Sequence, residues 1–261
     1  MQNKNKIIAL ESRLKGCKNV ITLGAKTNFS DYSREEASLI RNAGKIYYPT
    51  TFYADLFDSM GKKTFPSYHT YKCVQDKIKQ TALFNLLQIP HPMTKVYYGR
   101  DVTGKILRDF DFPFIAKVPR GSAMGRGVFL VQSRNDLAAY LAAARPAYIQ
   151  EYIKQDRDIR VVVIGKNVVH AYWRVAARGE FRSNIAKGGH IKFEDIPGEA
   201  LELARHTAGR CGWDDVGIDI IKRGTGYYVL EANMKYGKEG FRAAKIDYRG
   251  LMEKLIERGE I

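Results

Sequence analysis

The sequence predicts an α/β (α+β) protein. Three observations carry that expectation. Short apolar runs of strand length alternate with helix-like segments over the first 60 residues or so. A glycine-rich loop is framed by two strand-like runs in the middle of the chain, and two further strand-like runs meet at a glycine-containing turn near residue 225. With 261 residues, 45% of them hydrophobic and 27% charged, the chain can bury a substantial core and does not have the composition of a disordered one. No apolar run approaches the roughly 18–20 residues of a membrane helix. The apolar stretch behind the basic N-terminus covers only residues 7–10, too short for a signal peptide. A cytoplasmic protein without a membrane partner is expected.

In order along the chain, 7–10 and 20–23 read as short buried strands. Ser33 with Glu36 three residues on reads as a capping box opening a helix. Residues 46–49 read as a strand, and 51–60 as a helix closed by Gly61. Residues 1–65 are therefore expected to form a small α/β lobe. It lacks G-x-G-x-x-G, so no dinucleotide site is assigned to it. Residues 62–68 read as a polar connection. A helix over 70–87 follows, with Val74, Ile78, Ala82, Leu83, Leu86 and Leu87 as its apolar stripe and Lys77 and Lys79 off it. Beyond Phe112 come a strand at 113–118, the loop 121–127, a strand at 128–131, a helix at 135–144 and strands at 148–153, 158–164 and 168–175. A helix at 199–211 ends at Gly212, the pair 216–222 and 227–233 forms a hairpin, and a last helix covers 251–258.

Three groups of residues carry chemistry. If the hairpin turn is the three residues 224–226, Asp219 faces Glu231 across the strands and Asn233 shares their face. Opposed carboxylates repel unless a cation lies between them, and two carboxylates with an amide oxygen are hard ligands suited to Mg²⁺. Solvated acids on an ordinary hairpin would give the same spacing. The loop 121–127, with Gly121, Gly125 and Gly127 around Ser122, lets backbone N–H groups approach a phosphate. Lys117 precedes that loop on a strand, so this is not a P-loop, and a plain hairpin tip is the competing reading. Arg174, Arg178, Arg182 and Asn184 form a basic cluster suited to phosphoryl oxygens, although single arginines are ordinarily surface residues. Cys17, Cys73 and Cys211 are too scattered for a zinc site or disulfide framework and read as buried free thiols. The five histidines show no metal spacing. The net charge of +15 points to anionic partners, without the basic run of a nucleic-acid tail; nucleic acid is not the expected partner.

Together these residues resemble the ATP-grasp superfamily and, within it, the RimK-type glutamate ligases. The resemblance runs from about residue 71 to 257. It rests on Gln150-Glu-Tyr-Ile153, Asp158-Ile-Arg160, Val163-Ile-Gly165, Arg174, Phe181-Arg-Ser-Asn184 with Gly188-Gly189, and Val216-Gly-Ile-Asp219 followed by Glu231-Ala-Asn233. It implies an ATP-grasp fold over 66–261 behind a short N-terminal lobe, with a first lobe at 66–150 and a second at 151–261. It implies ATP and Mg²⁺, or Mn²⁺, as cofactors. By position, Lys77 and Lys117 would contact the nucleotide phosphates under the loop 121–127. Glu151, Tyr152 and Ile153 would border the adenine and Asp158 the ribose. Arg182, Ser183 and Asn184 would contact the nucleotide, and Arg174, with Arg182 and Lys117, the reacting phosphoryl group. Asp219, Glu231 and Asn233 would be the metal ligands.

The implied reaction activates a small-molecule or peptide carboxylate as an acylphosphate and joins it to an amine, glutamate being the family example. Arg120, Arg126 and Lys235-Tyr236 depart from the family pattern, and their added charge leads us to expect an acidic carboxylate substrate. An ATP-grasp kinase and a non-catalytic basic binding protein remain the alternatives. Homo-oligomerisation is left open.

Overall fold

The first apolar runs form a four-stranded parallel sheet in the order β2-β1-β3-β4, from β1 (Ile7–Ala9), β2 (Val20–Thr22), β3 (Lys45–Tyr47) and β4 (Lys63–Phe65). The computed structural model describes residues 6–121, 127–180 and 188–261. Parallel strands need crossovers, supplied here by α1 (Arg34–Asn42) and α2 (Thr50–Ser59). The Ser33/Glu36 capping box opens α1 as expected. β4 lies inside the segment read as a polar connection; at three residues it is too short to show a period.

The expected continuous helix over 70–87 is two helices, α3 (Tyr68–Lys72) and α4 (Lys77–Leu87). Gln75 takes a left-handed backbone (φ 56° at the far end of α4 is matched here by φ 52°), and the Asp76 side chain caps α4 by accepting from the Lys79 N–H at 3.0 Å. The inward face of α4 is Lys77, Gln80, Thr81 and Phe84, three of them polar, whereas Leu86 of the predicted stripe is 81% exposed. Tertiary partners, not apolarity, decide this helix's orientation.

Next come β5 (Thr94–Tyr97) and α5 (Thr103–Asp109), neither foreseen from the sequence, then β6 (Phe114–Lys117), β7 (Val128–Val131), α6 (Arg134–Ala143) and β8 (Ala147–Glu151). These strands form an antiparallel sheet, β5-β8-β6-β7. The loop joining β6 to β7 is tied to the α3–α4 break: Lys77 N–H donates to the Pro119 carbonyl (3.0 Å) and Gly121 N–H to the Gln75 carbonyl (3.2 Å).

The third sheet, β11-β10-β9-β12-β13, is antiparallel. It is built from β9 (Arg157–Ile164), β10 (Asn167–Val175), β11 (His190–Lys192), β12 (Asp215–Arg223) and β13 (Gly226–Asn233). α7 (Gly198–Cys211) packs on one face through Ala200, Ala204 and Ala208, in a core with Ile159, Val161, Ile218 and Trp213. α8 (Glu239–Ala243) and α9 (Tyr248–Glu257) join a second core shared with the N-terminal sheet: Ala9, Tyr47 and Phe65 meet Val162, Phe241 and Met252. The outer side of β13 is filled locally. Gln80 accepts from the Ala232 N–H (3.0 Å) and donates to its carbonyl (2.9 Å), while the Val229 N–H reaches the Pro90 carbonyl (2.8 Å).

Candidate active site

The β12–β13 hairpin places the first functional side chains. Its turn is Gly224-Thr225 between the paired residues Arg223 and Gly226, with Gly224 at φ 58°. That is one residue shorter than expected. A two-residue turn alone would put Leu230 opposite Asp219, but an irregularity beyond Ile220 and Val229 inserts one extra residue, and Asp219 pairs with Glu231. The bulge also aims two consecutive side chains, Leu230 and Glu231, into the same cleft. The juxtaposition expected from spacing is present, by a different route.

Around these carboxylates the structure gathers a charge network. Asp219 is 5% exposed and is gripped by the Arg160 guanidinium through both oxygens; its Oδ2 also receives Arg174 Nη2 at 2.9 Å and Asn233 Nδ2 at 3.1 Å. Arg174 in turn spans Asp158 in a two-pronged pair, 2.7 and 2.8 Å. Burial alone would raise the Asp219 pKa, but Arg160 and Arg174 outweigh it and hold the carboxyl below its ordinary range. Lys77, the first residue of α4, brings its Nζ to 3.5 Å from Glu231 Oε1.

Lys117, at the end of β6, lines the same cleft and is 4% exposed. Among the described residues it makes no ion pair; its Nζ stands 6.0 Å from the Tyr148 ring centre. Burial pushes its pKa down to about 8, against the pull of Glu231 and with the repulsion of Lys77.

The far wall of the cleft is Glu151, Tyr152 and Ile153, at and just beyond the end of β8. Glu151 is fixed by the Met93 N–H (2.8 Å) and by Arg223 (2.9 Å). Ile115, Ile221 and Leu230 supply apolar surface between these polar groups. Gly121 does not line this cleft; it sits at a neighbouring depression with Asp76 and Arg120. Arg120 is not a free cation, since its Nε pairs with Asp76 Oδ2 at 3.1 Å. Ser122, Gly125, Arg126, Arg182, Ser183 and Asn184 lie outside the described residues, while Gly127 accepts from the Val118 N–H at 2.7 Å.

Two residues at the site had no role assigned from sequence. Arg160 is the strongest partner of Asp219, and Gly217 makes room for it. A Cβ on Gly217 would stand 2.9 Å from the Tyr236 Cβ and 3.1 Å from the Arg160 Cδ, closer than packed atoms tolerate. A glycine inside a strand is the available signal for such a close approach.

Residues 74–257 match the RimK-like ATP-grasp domain family. A probable alpha-L-glutamate ligase of Enterobacter sp. (strain 638) is 33% identical over 192 residues, covering 70% of this chain and 64% of the relative. A ribosomal protein bS6–L-glutamate ligase of Escherichia coli O139:H28 (strain E24377A / ETEC) is 34% identical over the same coverage. The chain thus spans just under two thirds of these curated relatives. Among solved structures, the ATP-grasp ligase PsnB, in a complex with a precursor peptide and AMPPNP, superposes with a TM-score of 0.70 at 17% identity, covering 100% of this chain and 99% of that one. The chain belongs to the RimK-like ATP-grasp family and carries the ATP-grasp fold.

Proposed function

We propose that the chain is an ADP-forming carboxylate–amine ligase that joins an amino acid to a carboxylate of a peptide or protein. The observation that carries this reading is that Asp219, Glu231 and Lys117, from two segments of the chain, line one cleft, with Asn233 bonded to Asp219 and Lys77, from a third segment, paired with Glu231. The relatives' names, glutamate ligases with a ribosomal protein as one acceptor, support the substrate classes.

The residues fit ATP and Mg²⁺. Lys117 is a buried ammonium with no carboxylate within ion-pair distance among the described residues, which is what a phosphate would supply. Asp219, Glu231 and Asn233 offer hard oxygen donors to Mg²⁺, with Mn²⁺ an alternative occupant of the same set. When bound, ATP would supply the phosphoryl group that activates the substrate carboxylate, leaving as ADP, and the metal would offset the phosphates' negative charge. The chain's own residues bind and orient. Lys77 and Lys117 would hold phosphate oxygens. Glu151, Tyr152 and Ile153 would border the base, Leu230 and Ile221 would offer it apolar surface, and Asp158 would stand near the ribose. Arg174, held in position by Asp158 and Asp219, would offset the negative charge of the transferring phosphoryl group.

The test is to incubate the chain with ATP, Mg²⁺, amino acids and acidic peptides while following ADP, free phosphate and product mass. Equal ADP and phosphate, with a product one water lighter than its two precursors, is the expected result. ADP with a stable phosphorylated product would make it a kinase instead, and absence of ATP binding would refute the reading.

A further inference from the structure

A second cavity, of about 270 Å³, opens at the C-terminal end of the hairpin, where Met234 and Lys235 follow Asn233. Its other walls come from the N-terminal lobe (Glu11, Arg13, Tyr48) and from the α3–α4 region (Thr70, Tyr71, Val74). It is separate from the nucleotide cleft in lining, yet both are anchored on the same strand end.

Arg13 is the unexplained group. Its Nε donates to the Tyr248 hydroxyl (3.0 Å) and lies 3.8 Å from Asp215 Oδ2; its Nη1 donates to the Tyr236 carbonyl (3.3 Å). The guanidinium plane rests on the Tyr236 ring, 4.3 Å from its centre. Asp215 is held from behind by the Tyr48 and Tyr236 hydroxyls at 2.8 and 2.5 Å, so the acid that faces Arg13 is itself fixed in place. Its Nη2 is buried and has no acceptor among the described residues. A buried charged donor left without a partner is costly, and native structures leave few.

Lys238 lines the same cavity, with its Nζ 4.3 Å from the Tyr248 ring centre and no ion pair among the described residues. Burial and the charge of Arg13 both hold its pKa below the ordinary lysine value, a state that an anion between the two cations would relieve. Lys235 is matched by Glu11 at 3.4 Å. Counting Asp215 behind Arg13, three cations face two carboxylates, so the cavity carries one uncompensated positive charge.

We infer that Arg13 and Lys238 form a subsite for the non-reacting carboxylate of a small amino-acid substrate, outside the nucleotide cleft. This rests on the ligase reading above. The cavity's size favours the amino acid that supplies the amine over a peptide acceptor. The positive charge of Arg120 and Lys235, singled out from sequence, is neutralised by Asp76 and Glu11, and with Arg13 facing Asp215 the unmatched charge among the described residues lies at Lys238.

The experiment uses the full chain with Mg²⁺ and a non-hydrolysable ATP analogue, and reads thermal stabilisation by each proteinogenic amino acid. Lys238→Met leaves the brace around Asp215 intact; Arg13→Lys keeps the charge and removes the forked donor. The expected result is stabilisation of the wild type by at least one amino acid, with affinity about tenfold weaker in each variant and affinity for the ATP analogue within about twofold. The subsite is overturned if no amino acid stabilises the nucleotide-bound wild type, or if Lys238→Met binds it unchanged. If Arg13→Lys does not fold, Lys238→Met alone decides. The ATP analogue's own stabilisation is read separately: its absence sinks the ligase reading, whereas amino-acid binding lost in the variants still upholds the subsite.

Discussion

Asp219 and Glu231 face each other across one hairpin but stand in different electrostatic settings, and substitution should separate them. Asp219 balances two buried guanidinium groups. Asp219→Asn leaves Arg160 and Arg174 short of a counter-charge, and the expected cost is about 3–5 kcal/mol of stability in addition to lost turnover. Glu231 is partly exposed and has a looser partnership with Lys77, so Glu231→Gln should abolish most turnover while the denaturation midpoint stays near wild type. Urea melts beside the ADP assay check both; a fully active Glu231→Gln would count against its role as a metal ligand. Lys117 gives a pH signature. Its folded pKa, about 8, lies below the ordinary lysine value. Between about pH 8 and 10 the unfolded chain holds a proton that the folded chain has released, so stability of the ligand-free protein should rise across that window. Phosphate binding requires the proton, so nucleotide affinity should move the other way, falling about tenfold between roughly pH 7 and pH 9. Calorimetric titration across that range measures it, and Lys117→Met should flatten the profile and weaken binding throughout.

At the scale of elements, α4 works as a spacer between the glycine loop and the hairpin. One face carries Lys77 to Glu231, Gln80 to the Ala232 backbone and Thr81 to the Tyr148 hydroxyl at 2.7 Å. Gln80→Leu should cost about 1–3 kcal/mol, because the Ala232 N–H and carbonyl lose their buried partner. It should also raise the KM for ATP through a displaced Lys77, a pairing of effects that steady-state kinetics and denaturation together would reveal. Gly217→Ala should push Arg160 off Asp219 and lower turnover with the hairpin still formed. These devices explain what was legible in the sequence. The hairpin and its opposed carboxylates were readable because strand alternation is local, and the bulge happened to compensate for the misjudged turn. The face of α4 was not, because Lys77, Gln80 and Thr81 are buried for the sake of partners about 70 to 155 residues away along the chain. The α3–α4 break was hidden too, since Gln75 rather than a glycine takes the left-handed backbone. Arg160 stood within a recognised motif, yet only the folded chain shows which carboxylate it meets.

In the molecule as a whole, the N-terminal sheet is not an appendage. Ala9, Leu14, Tyr48 and Phe65 share one core with Val162, Ile164, Phe241 and Met252, and the Tyr48 hydroxyl bonds Asp215 in the third sheet. We expect one calorimetric transition for the chain, not a separate early melt of residues 1–65; two resolved peaks would contradict this. The alternation of strand and helix in the first 65 residues was legible, because each short run shows its own texture, but the grouping of the strands into three sheets was not. The cores that weld the lobes were not, since each lobe contributes only a few residues to them. The closure of the β13 rim has a bearing on self-association. Gln80 and Pro90 already occupy the backbone groups at Ala232 and Val229 that an incoming strand would use. A second copy therefore cannot extend the sheet through these positions, and any pairing of chains on this side of the molecule has to be made by side-chain surfaces. The rim beside Asp219 and Glu231 is thereby kept free of strand exchange between copies.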